Sequence, residues 1–111
     1  MTNLISSDEI SAEDYLLLFH NKEPHLFLDV RELWEVETAH IASSQHIPLR
    51  SLEYRFDELP RDRWIITYCH HGGRSLRACH LLREKGFVKV VSLKGGIQHW
   101  AEVVDQTMPT Y

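Results

Sequence analysis

The segment Tyr68-Cys69-His70-His71-Gly72-Gly73-Arg74-Ser75 gathers the residue types that nucleophilic chemistry on an anion requires. Cys69 supplies a thiol, which attacks as its thiolate. Gly72 and Gly73 let the backbone between Cys69 and Arg74 curl tightly, because glycine tolerates positive φ. A loop bent this way turns successive N–H groups inward as an anion cradle. Arg74 brings a permanent cation, and a helix expected from Ser75 brings its positive N-terminal end. Each of these favours a thiolate over a thiol, and the same cradle suits an anionic substrate. Cys69 is therefore the candidate nucleophile, with His70, His71, Gly72, Gly73, Arg74 and Ser75 as candidate binding residues. The imidazoles of His70 and His71 are expected to line the rim, since the cradle depends on backbone N–H groups alone. Cys69-His70-His71 could also open a metal site, but no further ligand stands at a recognised spacing, and neither metal nor cofactor is expected.

A loop of this kind needs a buried strand before it and a helix after it. Trp64-Ile65-Ile66-Thr67-Tyr68 is rich in β-branched and aromatic residues and reads as that strand. Residues 26–30 and 88–93 read the same way. On a helix over 75–85, Ala78, Cys79 and Leu82 share one face while Arg77, His80 and Glu84 share the other. Gly86 suits a left-handed stop. Ser11, three residues before Asp14, caps a first helix through Tyr15, Leu16, Leu18 and Phe19. Residues 32–39, 52–59 and 97–104 are shorter helix candidates. Strands alternating with helices define an α/β fold with a mainly parallel sheet, whose chemistry gathers at the carboxyl ends of strands. That rule selects Asp29-Val30-Arg31 and the loop at Cys69. Asp29 and Arg31 are expected to fix the surrounding loops by hydrogen bonds. His40 is expected to be a buried scaffold residue, Trp100 a core anchor, and Cys79 a small core side chain.

The 111 residues fit one domain, with a core over about 4–104 and a loose tail over 105–111. A hydrophobic share of 43% and a charged share of 25% are ordinary for a globular chain. The net charge of -4, from 12 Lys+Arg against 16 Asp+Glu, argues against nucleic acid or an anionic membrane as partner. Locally, Arg74, Arg77, Arg83 and Lys85 form a basic excess that could draw anions to the loop. Two cysteines ten residues apart form neither a redox pair nor a disulfide framework. The N-terminal stretch lacks a basic leader, and no apolar run approaches a membrane span. A reducing, cytoplasmic setting follows as the expectation.

The sequence resembles the rhodanese family. The family's loop, Cys-x-x-Gly-x-Arg-Ser, is matched by Cys69, Gly72, Arg74 and Ser75. Its Leu/Ile-Asp-Val-Arg strand end, followed by Glu, His-Ile and Ile-Pro, is matched by Leu28 to Arg31, Glu35, His40-Ile41 and Ile47-Pro48. A Gly-Gly then Trp pattern is matched by Gly95-Gly96 and Trp100. The matches run in order over nearly the whole chain. The resemblance implies a five-stranded, mainly parallel sheet with helices on both faces and Cys69 at the base of a pocket. It implies sulfur transfer in two displacements: a small anionic donor such as thiosulfate loads Cys69 as a persulfide, and a thiol, protein or cyanide acceptor unloads it. Departures fall at Ala39, where the family often has Gly, and at Gln45-His46, where it often has Gly-Ala; both bear on loop geometry.

Four other functions compete. Dual-specificity phosphatases on the related fold use Cys-x5-Arg, whereas four residues separate Cys69 from Arg74 here. That shorter loop disfavours phosphatase activity, and an arsenate reductase on the same grounds. A regulatory module without catalysis would lack the cysteine, which this chain keeps. A protein-to-protein sulfur relay with little thiosulfate activity fits the same residues.

Overall fold

The computed structural model describes residues 8–111. The readings of residues 1–7, no leader and a core beginning at residue 4, lie outside the described residues. The chain forms five strands, β1 (Glu9–Ile10), β2 (His25–Asp29), β3 (Gln45–His46), β4 (Trp64–Tyr68) and β5 (Val90–Leu93). Between them run α1 (Ala12–Leu18), α2 (Leu33–Thr38), α3 (Leu49–Arg55) with a 3-10 turn at Phe56–Glu58, α4 (Gly73–Glu84) and α5 (Gly96–Val103). The strands form one sheet in the order β1-β5-β4-β2-β3, with every pair parallel.

The residue types explain the layers. A central parallel strand is buried on both faces and is apolar throughout. In β4 alternate side chains serve opposite cores: Ile66 and Tyr68 join one cluster, Ile65 and the following Cys69 the other. The first cluster packs α1 and α5 on the sheet through Tyr15, Phe19, Ile97 and Trp100. The second packs α3 and α4 on the opposite face through Leu52, Ala78, Cys79 and Leu82. Trp100 anchors its core, with its ring 5.3 Å from both Tyr15 and Phe27.

Helix ends follow local chemistry. The Ser11 hydroxyl accepts from the Asp14 N–H at 3.0 Å and caps α1. Gly86, at φ +94°, ends α4. That helix starts at Gly73 rather than Ser75, because Gly73 and Arg74 wind into its first turn. Arg74 therefore sits inside the helix, not ahead of it.

The register sets up the site. Asp29 pairs with Tyr68 across β2 and β4, and Thr67 with Ser92 across β4 and β5, so the carboxyl ends of three strands lie level. Where the sequence suggests a loose tail, Met108 and Tyr111 pack against the α1/α5 core. Among the described residues, no helix is long and apolar enough to cross a membrane.

Candidate active site

Cys69 follows directly on β4, and its sulfur is buried at 1% exposure. The N–H groups of Gly72 and Ser75 donate to Sγ at 3.1 and 3.3 Å. Ser75 N–H belongs to the first turn of α4, where helix donors lack intrahelical partners. The N-cap residue Gly72 has no side chain to fill that role, so the sulfur fills it. The thiol donates to Ser75 Oγ at 3.5 Å, and Ser75 Oγ in turn lies 2.7 Å from Ser92 Oγ. With the Ser92 hydroxyl donating to Ser75, the Ser75 hydroxyl donates to the Gly72 carbonyl at 3.1 Å.

Two glycines allow the loop this shape. Gly72 takes φ +120°, and Gly96, at the start of α5, takes φ +62°. The carbonyls of Cys69 and His70 accept from Ile97 N–H and Gln98 N–H at 2.9 and 3.1 Å. Both carbonyls thus face α5, and across trans peptides the N–H groups of His70 and His71 face the other way. The result is a tightly curled loop in which only Gly72 of the glycine pair uses positive φ, while Gly73 is helical.

Arg74 is not the free cation that the sequence suggests. Its guanidinium makes a bidentate pair with Glu35 at 2.7 and 2.9 Å, and Glu35 is 3% exposed. The pairing lowers the Glu35 pKa to about 2, chiefly through Arg74, against the opposing effect of burial. The Arg74 pKa is raised, first by Glu35 and more weakly by the nearby Cys69. Two further members of the basic cluster are likewise engaged. Arg83 pairs with Asp8 and donates to the Val90 carbonyl, and Lys85 lies over the Phe56 ring.

Asp29 and Arg31 form the scaffold expected of them. Both are fully buried, and Arg31 Nε and Nη2 donate to the two Asp29 oxygens at 2.9 and 2.7 Å. Burial works against the Arg31 charge, but Asp29 and Tyr111 outweigh it and raise its pKa. Removing one partner of such a pair costs about 3–5 kcal/mol. Arg31 also donates to the carbonyls of Ala39 and Glu35, at 2.6 and 3.3 Å. The Ala39 carbonyl serves whatever the side chain, and its φ of -165° suits any residue, so the departure from Gly is harmless. His46 Nε2 donates to the Arg31 carbonyl at 2.7 Å, so the second departure also joins this network. His40 corrects the reading of a buried scaffold histidine. It is exposed, because its Nδ1 only reaches back to the Val36 carbonyl at the end of α2.

His70 and His71 stand at the loop rim with their rings stacked 3.9 Å apart. Burial and the neighbouring His71 lower the His70 pKa. The other face of His70 stacks on Tyr111, also at 3.9 Å. Glu35 was legible only as part of the family pattern. Ser92 stands in a strand like any small polar residue. Tyr111 carried no sequence signal at all, since its site partners Arg31 and Glu35 are 80 and 76 positions away.

The fold is a parallel α/β sheet with a buried cysteine at the end of its central strand, capping the next helix. The rhodanese-like domain model matches residues 11–103, and the chain belongs to that family. It is 33% identical to a sulfurtransferase of Allochromatium vinosum, over 85% of this chain and 88% of the relative. It is 36% identical to the adenylyltransferase and sulfurtransferase MOCS3-2 of Zea mays over 97% of this chain, but spans only 24% of that protein's length. Among solved structures, a rhodanese-related protein from Thermoplasma volcanium superposes with a TM-score of 0.77 at 35% identity. That match covers 86% of this chain and 92% of the other.

Proposed function

We propose that this chain is a sulfurtransferase that carries sulfane sulfur as a persulfide on Cys69. The observation that carries the reading is the position of Sγ, at the mouth of α4 and under the N–H groups of Gly72 and Ser75. The Cys69 thiolate attacks the outer sulfur of a small anionic donor such as thiosulfate. The donor's S–S bond breaks, sulfite leaves with the electron pair, and the persulfide keeps one negative charge. A thiolate or cyanide then attacks the outer sulfur and Cys69 departs as thiolate, so the cycle closes without a cofactor. The cradle of N–H groups from His70 to Ser75 stabilises the outer sulfur anion. Arg74, held by Glu35, orients the first turn of α4 and adds a screened positive charge. The same lock disfavours a phosphatase, because Nη1 and Nη2 of the guanidinium are already paired with the Glu35 carboxylate. A free-thiol cycle of this kind suits a reducing compartment such as the cytoplasm.

Intact-mass spectrometry after thiosulfate treatment tests the proposal. Wild type and Cys79→Ser are expected to gain one sulfur atom that cyanide removes, and Cys69→Ser is expected to gain none. Loading that survives in Cys69→Ser and disappears in Cys79→Ser would sink the assignment. If a cysteine desulfurase loads Cys69 and thiosulfate does not, the chain is a relay fed by a protein donor.

A further inference from the structure

Residues 105–111 run back across the carboxyl end of the sheet and bring Tyr111 onto the active loop. Three sets of contacts fix it. Its ring lies parallel to His70, with centroids 3.9 Å apart and an interplanar angle of 17°. It meets the Trp34 ring of α2 nearly edge-on at 5.5 Å. Its hydroxyl donates to Glu35 Oε2 at 2.8 Å and accepts from Arg31 Nη1 at 2.7 Å. Burial pushes the Tyr111 pKa up to about 12, so the hydroxyl remains a donor across the working pH range. Tyr111 therefore ties both ion pairs, Asp29–Arg31 and Glu35–Arg74, to the rim residue next to Cys69.

In this arrangement Cys69 is 1% exposed. His70 Nε2 is buried with no hydrogen-bond partner among the described residues. A buried nitrogen without a partner is costly, and a ligand entering beside it would supply the missing bond.

We propose that Tyr111 is a specificity-determining gate over the Cys69 site. Closed, it keeps water and bulky thiols from the sulfur. A small anion passes with a partial displacement of the ring, whereas a peptide-sized thiol needs the whole ring removed from His70. The rate with a bulky reagent is then its intrinsic rate multiplied by the open fraction. This gate rests on the reading of Cys69 as the reactive thiol, but it does not require sulfur transfer to occur.

Alkylation mapped to the Cys69 peptide tests the gate, with iodoacetamide as the small probe and a polymer-bearing maleimide as the bulky one. Tyr111→Ala is expected to raise the bulky rate about tenfold or more, and the small rate much less, because two hydrogen bonds and a ring stack are lost. Tyr111→Phe keeps the ring and loses only the hydroxyl bonds, so its bulky rate should fall between the two. An unchanged bulky-to-small ratio in Tyr111→Ala would overturn the gate. So would a rise matched by equal alkylation of buried Cys79, which reports global unfolding instead. Should the alanine variant fail to fold, an unchanged ratio in Tyr111→Phe overturns the gate equally. A chain that shows the ratio change yet never gains sulfur keeps the gate and loses the proposed activity.

Discussion

A methyl group at Gly96 would stand 2.4 Å from the His70 carbonyl oxygen and 2.5 Å from that of Cys69. Neither oxygen can yield easily, since each accepts a bond from the first turn of α5. Gly96→Ala therefore has to push the loop after Cys69 away from α5 and also strain a residue at φ +62°. The expected cost in stability is about 1–3 kcal/mol. Persulfide loading is expected to fall further than that loss of folded protein accounts for, because the displaced peptides are those that aim the cradle. Thermal unfolding and loading rates measured on the same preparation check this; loading that merely tracks the folded fraction would refute it. The Gly95-Gly96 pair was visible in the sequence as part of a pattern. Its physical reason was not, because the clash lies between residues on separate loops.

At the scale of elements, legibility followed burial and length. The strands β2, β4 and β5 are buried on both faces, and their apolar runs exposed them in the sequence. The two-residue strands β1 and β3 left no period to read; they exist because β5 and β2 offer them partners. The start of α4 was misplaced by two residues, since nothing local shows that Gly73 and Arg74 are helical until Glu35 receives the arginine. The first helix was legible for a nearby reason, its Ser11 cap. Ser11→Ala should cost about 1 kcal/mol of stability while sulfur loading per folded molecule stays unchanged. A stability equal to wild type in chemical denaturation would show that packing of Ala12, Tyr15 and Leu18 holds α1 without its cap.

At the scale of the whole molecule, one buried network joins the ends of β2 and β4 to α2, α4 and the 105–111 segment. Its acid limb has a definite pH signature. Glu35 has an ordinary pKa of 4.5 and is held at about 2 in the fold. A depressed carboxyl pKa stabilises the fold fully above the ordinary value and loses that contribution as pH falls towards the folded one. Unfolding temperature should thus drop between about pH 4.5 and pH 2, and Glu35→Gln should start lower at neutral pH and fall less over that window. A slope unaffected by the substitution would place the acid sensitivity elsewhere. The two cysteines add a further consequence. Cys79 lies at 0% exposure within the α4 face, and burial pushes its pKa up to about 11. Cys69 is nearly as buried, at 1% exposure, and its chain neighbour His70 carries the Tyr111 ring. With the proposed gate one chain contains two clocks: Cys69 times the brief parting of Tyr111 from His70, and Cys79 times the rarer loss of the entire fold.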